Sequence, residues 1–250
     1  MAAGKYNLGF ISDADIFNHV KETVVKYRFN INLAEFNKNL IDPIKLTFDA
    51  KVYKKSTEDI IESEIIRQID KSNTNHIGYF HQNIFHLIGA GWHVPATGYD
   101  VINFNKHIYV EMKNKHNTMN SSSSQKTYMR MQNTILDNPN ATCYLVEVIA
   151  VTTQNIIWHT SLDGQSVSHK QIRRISMDKF YELVTGDALA FKKLCEKLPQ
   201  IVEDVVNENL IKSSTNSVVI ELKKIDKNLM KSLYLMTFKK YEGFSNFSLN

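Results

Sequence analysis

The run ATCYLVEVIAV, residues 141–151, limits what this chain can become more than any other segment. Its apolar residues continue without the polar alternation of a half-exposed strand, so it reads as a strand buried on both faces. A strand of that kind needs cover above and below, which calls for a sheet with helices packed on it. The preceding sequence supplies such a frame. In SDADIFNHVKETVVKY, Ser12 and Asp15 have capping-box spacing and Ile16, Val20, Val24 and Tyr27 follow at helical intervals, which predicts an N-terminal helix. FNINLAEFNKNLIDPIKLTFDAKVY is less regular, and Pro43 is expected to stop any helix there. STEDIIESEIIRQIDKS predicts a second helix, and HIGYFHQNIFHLIG a third, closed by Gly89 and Gly91.

The period then changes to two. GWHVP reads as a short strand, VINF and HIYVEMK as a hairpin turning at Asn105 and Lys106, and residues 114–120 as a polar loop. SSSQKTYMRMQNTILDNP predicts a helix ending before Pro139, and the buried strand follows. The order is helix, three strands, helix, strand. Beyond it come a strand NIIWHTSL, a turn at Asp163 and Gly164, helices in SMDKFYELVTG and ALAFKKLCEKLPQIVEDVVNENL, and a strand-like SVVIEL before a polar, aromatic tail. The expected class is α/β, a central mixed sheet flanked by helices, with helical additions at both ends.

With 43% hydrophobic and 22% charged residues and only 9 Gly and 4 Pro in 250, the chain is globular and long enough for a substantial core. A net charge of +4 permits a polyanionic partner without requiring one. Cys143 and Cys195 make neither a disulfide framework nor a metal-ligand spacing, which fits a reducing cytoplasm. The start MAAGKYNLGFISDAD has no signal-peptide core, and no stretch approaches the roughly 18 apolar residues of a membrane span. A soluble, unexported protein is expected.

The chemistry-bearing segment is GYDVINFNKHIYVEMKN, residues 98–114. Strand alternation puts Tyr109, Glu111 and Lys113 on one face and Ile108, Val110 and Met112 on the other, and the hairpin can return Asp100 beside Glu111. The solvated face of any antiparallel sheet shows the same alternation. Two hard oxygen ligands for Mg²⁺ and an ammonium beside the attacked phosphate are also what metal-dependent phosphodiester cleavage requires.

Set in this order of elements, Asp100, Glu111 and Lys113 resemble the motif of the PD-(D/E)-x-K nucleases. More narrowly, ESEIIRQIDKSNTNHIGYFHQNIF, GYDVINFNKHIYVEMKNKHNTMNSSSSQKTYMRMQ and RRISMDKFYELVTGD resemble the small type II restriction endonucleases that cut GGNCC. Tyr99 stands where the motif normally has a proline, and the nearest proline is Pro95. The resemblance implies a restriction-endonuclease-like core within one nuclease domain: a helical part at 1–75, a catalytic core at 76–160, and a C-terminal strand and helical part at 161–250. It implies Mg²⁺ held by Asp100, Glu111 and the backbone carbonyl of Met112, Lys113 acting at the phosphate, and in-line hydrolysis of double-stranded DNA to 5′-phosphates. It also implies a homodimer, a cognate DNA methyltransferase and a prokaryotic cytoplasm. The rival readings are a nuclease of DNA repair or recombination and a non-catalytic DNA-binding relative.

A further ligand from the preceding helices is open between Glu64 and Gln82. At about 100° per residue from Ile60, Glu64 falls near 40° and Ile61 near 100°, so Glu64 lies between apolar positions. Glu62 is flanked by Ile66 and Ile69 in the same way, and the wheel does not choose. DNA contacts are expected from Lys115, Asn117, Asn120, Ser124 and Lys126 around a helix N-terminus, and from Arg173 and Arg174 in SHKQIRR, where a guanidinium can address guanine. His76, His81, His86 and His93 lack the i, i+4 spacing of a helical zinc pair, and Trp92 and Trp158 read as packing anchors.

Overall fold

The computed structural model describes residues 5–89, 91–209, 216–238 and 247–249. Its contacts divide the chain into a first unit, Met1–Val25 with Ile77–Leu210, and a second, Lys26–His76 with Ile211–Asn250.

The first unit is built on a six-stranded mixed sheet of order β1-β2-β3-β4-β6-β5. Its strands are β1 (Trp92–His93), β2 (Val101–Asn103), β3 (Ile108–Lys115), β4 (Thr142–Ile149), β5 (Asn155–Leu162) and β6 (Gln165–Ser176). The three strands β3, β4 and β6 run parallel, while β1 and β2 on one side and β5 on the other pair antiparallel. Helix α5 (Ser121–Asp137) makes the crossover from β3 to β4 that a parallel pair needs. Its Tyr128 and Met131 bury one sheet face with Tyr99, Ile102, Cys143, Leu145, Trp158 and Ile172. The other face is covered by α1 (Asp13–Val24), the end of α4 (Thr57–Ile88), α6 (Met177–Thr185) and α7 (Ala190–Asn209), through residues such as Val20, Ile84, Phe180 and Ile201. β4 therefore sends Cys143 and Leu145 into one core and Tyr144 and Val146 into the other, as its unbroken apolar run demands.

Local chemistry sets the ends of these elements. The Ser12 hydroxyl accepts from the Asp15 N–H at 3.0 Å to start α1. The Asp163–Gly164 turn joins β5 to β6 with both residues at positive φ, 47° and 81°, the backbone of a two-residue hairpin. Proline 139 follows the end of α5 and cannot extend it.

The second unit is helical: α2 (Leu33–Asn37), α3 (Pro43–Val52), the first part of α4, α8 (Val218–Ile225) and α9 (Leu229–Phe238). Phe36, Leu46, Ile61, Ile65, Leu222 and Leu233 form its centre.

Three expectations are corrected here. Pro43 opens α3 instead of stopping a helix, because the first helical position has no N–H to lose and Asp42 caps the turn by accepting from the Ile44 and Lys45 N–H groups. The expected second and third helices are one 32-residue helix, α4: the intervening NTN, residues 73–75, interrupts the apolar pattern but holds no glycine or proline, and each added residue extends a helix already nucleated. SVVIEL is helical, since Val218 and Leu222, one turn apart, are both buried in the second core, and burial overrides the β-preference of valine. Residues 239–246 and 250 of the tail lie outside the described residues. Among the described residues no helix is long and apolar enough to cross a membrane.

Candidate active site

The site grows from the alternation of β3. Ile108, Val110 and Met112 enter the core below the sheet, which forces Tyr109, Glu111 and Lys113 onto the face that α5 covers. The β2–β3 hairpin pairs Val101 with Val110, so Asp100 lies one step beyond the strand end. Its N–H donates to the Val110 carbonyl at 2.9 Å, and its Oδ2 accepts the Met112 N–H at 2.7 Å. Asp100 is thereby fixed beside Glu111. The Lys113 ammonium donates to Glu111 Oε1 at 2.7 Å. Asp100, Glu111 and Lys113 are thus brought together on one surface.

The electrostatics are tight. Glu111 is nearly buried, at 9% exposure. Burial raises the pKa of Asp100 above its ordinary value, and the charge of Glu111 adds to that, against the Met112 N–H, Lys113 and Arg130. Arg130, on α5, escaped the sequence reading. Its Nη2 donates to Glu111 Oε2, its Nη1 to the Gly98 carbonyl at 2.8 Å, and its guanidinium lies 4.6 Å from the Tyr99 ring centre. The available signal was its place on the helix that must cover the carboxylate face.

A second polar group continues across the sheet. Glu147 of β4 is in register with Lys113 and only 1% exposed. Its carboxylate contacts His116 Nδ1 at 3.0 Å and accepts from Gln154 at 3.2 Å and Arg174 at 3.0 Å. Lys115, Asn117, Ser124 and Arg174, singled out in two separate segments of sequence, line with Lys113 and Glu147 one cavity of about 60 Å³.

The other candidates stand elsewhere. Arg173 and Arg174 point to opposite faces of β6, and Arg173 donates to the Asn155 side chain and carbonyl, both at 2.6 Å. Asn120 caps α5 by accepting the Ser123 N–H at 2.8 Å, and Lys126 is exposed on that helix. Gln82, half-buried on α4, makes no hydrogen bond to Asp100, Glu111 or Lys113. Glu64 belongs to the second unit, where Arg67 donates to it twice at 2.6 Å and Gln68 once at 3.0 Å. Trp92 packs edge-on against Phe180 and Trp158 against Tyr128. His81 is half-buried, with its buried Nδ1 unpartnered, and desolvation followed by the neighbouring His19 lowers its pKa to about 4.

The donor set suits a hard divalent cation at Asp100 and Glu111. Both groups offer carboxylate oxygens, and among the described residues Asp100 Oδ1 accepts no hydrogen bond. Two half-desolvated carboxylates side by side, one with its pKa already raised, are what a nearby cation stabilises. No group of three or more His, Cys, Asp or Glu side chains that could hold a metal occurs among the described residues.

The family model of the Eco47II restriction endonuclease matches residues 8–207. The type II restriction enzyme Sau96I of Staphylococcus aureus is 31% identical over 221 residues, covering 84% of this chain and 85% of that enzyme. The type II restriction enzyme Eco47II of Escherichia coli is 32% identical over 216 residues, covering 81% and 90%. No solved structure matches the chain significantly.

Proposed function

This chain belongs to the Eco47II restriction endonuclease family, and from that we propose that it hydrolyses both strands of double-stranded DNA at GGNCC, with Mg²⁺, leaving 5′-phosphates. It acts in a prokaryotic cytoplasm as the restriction partner of a cognate DNA methyltransferase, and its sheet, helices and Asp100 hairpin form a restriction-endonuclease-like core. The observation that carries this reading is the convergence of Asp100, Glu111 and Lys113 on one half-buried sheet face.

Asp100, Glu111 and the Met112 carbonyl would hold the metal. The chemistry Mg²⁺ supplies when bound is Lewis-acid polarisation of the scissile phosphate and acidification of the attacking water. Lys113, steadied by its bond to Glu111, orients that water and offsets the charge that gathers on the phosphoryl oxygens as attack proceeds. The low exposure of Glu111 and the packing of α5 keep bulk water from weakening these interactions. One such site cuts one strand. Two copies related by a twofold axis present the same site to each half of a palindrome, so the active species is a homodimer.

The test is a plasmid digest with end mapping and solution mass. Wild-type protein yields discrete 5′-phosphorylated ends at GGNCC and has a dimer's mass on DNA, while Asp100→Ala and Glu111→Ala cut nothing and still bind. Ends at another sequence overturn the specificity, and cleavage by either variant overturns the site.

A further inference from the structure

On the same sheet face, a cavity of about 60 Å³ has a lining of which only Lys113 enters the proposed hydrolysis. It has the volume of roughly two waters, enough for the oxygens of one phosphate group. Lys113, Lys115 and Arg174 set three cations against the single carboxylate of Glu147, and Asn117 and Ser124 add polar groups. Lys113 is shared with Glu111, but Lys115 has no ion-pair partner among the described residues. Arg174 spends Nη2 on Glu147, whereas its Nε is buried and has no hydrogen-bond partner. A buried donor left unmatched beside an excess of positive charge is matched by an anion.

The strand register gives the cavity its place. Glu111 pairs with Leu145 and Leu145 with Arg174, so Arg174 stands two strands from Glu111, about 10 Å away. The Arg174 guanidinium turns to Glu147, whereas Glu111 is paired with Lys113 and Arg130. Arg174 is also poorly placed to read a base: its side chain is only 19% exposed and is held at the sheet by Glu147, which His116 and Gln154 fix in turn. An arginine that reads guanine has to project into a groove.

We propose that this cavity seats a DNA backbone phosphate adjacent to the scissile one, with Arg174 as its principal ligand and Glu147 as the residue that positions Arg174. The proposal rests on the DNA-cleavage reading above and reassigns Arg174 from base recognition to phosphate binding. Such a contact fixes the register of the duplex on the catalytic face without carrying sequence information.

The experiment measures binding of a GGNCC duplex and a scrambled duplex by fluorescence anisotropy, with Ca²⁺ in place of Mg²⁺, over a range of KCl concentrations. Arg174→Gln lowers affinity for both duplexes by the same factor, about tenfold or more, leaves their ratio unchanged, and reduces the slope of log K against log salt by about 1.8, which is about 0.9 for each protomer of the dimer. Replacing backbone phosphates one at a time with neutral methylphosphonates finds one position in each half-site, outside the scissile phosphate, that weakens wild-type binding and is silent in the variant. Because Arg174→Gln leaves the buried Glu147 without its guanidinium partner, the doubly neutral variant Glu147→Gln with Arg174→Gln is measured alongside and shows the same loss. A changed ratio between duplexes, an unchanged salt slope or the absence of a silent position overturns the seat. A wild-type protein that prefers no sequence, yet loses slope on substitution, overturns the specificity reading and leaves the seat standing.

Discussion

Replacing Arg130 with methionine should tighten binding of a divalent cation at Asp100 and Glu111. The substitution keeps a long apolar stem over the Tyr99 ring and removes one positive charge. In the structure that charge sits directly on Glu111 Oε2, and it is tethered there by the Gly98 carbonyl at 2.8 Å. A cation sharing Glu111 therefore meets a guanidinium roughly 5 Å away. For charges of two and one at that separation, Coulomb's law gives about 1.5 to 3 kcal/mol when the effective dielectric constant is taken between about 80 and 40. The watery end of the scale is appropriate, since the Arg130 side chain is 37% exposed. That energy corresponds to a roughly ten- to hundredfold lower Kd for the cation. Titration calorimetry with Ca²⁺ and metal-free protein at low ionic strength reads it directly, with Glu111→Gln as the variant that loses binding. The advantage shrinks as salt is added, because screening acts on the same repulsion. Unchanged or weaker Ca²⁺ binding by Arg130→Met would show that the arginine builds the carboxylate site and does not compete for it.

Two further outcomes follow from the same geometry. Asp100→Asn raises the melting temperature of the metal-free protein at neutral pH. The raised pKa means that the folded state holds the Asp100 proton more tightly than the unfolded chain, so stability falls as pH rises through the folded value, and a permanently neutral side chain escapes that loss. The gain fades as pH is lowered to the ordinary aspartate range, and thermal melts that show no gain at neutral pH contradict it. Lys113→Ala lowers the cleavage rate in single-turnover kinetics by about a hundredfold or more while changing DNA affinity little. Equal losses in rate and affinity would make Lys113 a phosphate anchor only.

Some of this protein is settled within short stretches of sequence. The unbroken apolar residues of β4 require cover on both faces of a sheet, and both cores of the first unit meet on that strand. The alternation in IYVEMK puts Glu111 and Lys113 on one side because successive strand residues face opposite ways, a rule that holds whatever the rest of the chain does. The same rule separates Arg173 from Arg174, although both were expected to contact DNA. Other features depended on what surrounds a segment. The valines of α8 are helical because they reach a buried cluster, and Pro43 starts a helix because Asp42 precedes it with a cap. α4 runs unbroken because nothing in NTN stops it. The pairing of Arg130 with Glu111 spans 19 residues and depends on where α5 crosses the sheet. The cavity joins two distant segments through the registers of β3, β4 and β6. Periodicity acts through the backbone of each segment alone and can be read locally, but which side chains meet across strands and helices is fixed only when the sheet chooses its register and the helices bury their apolar faces against it.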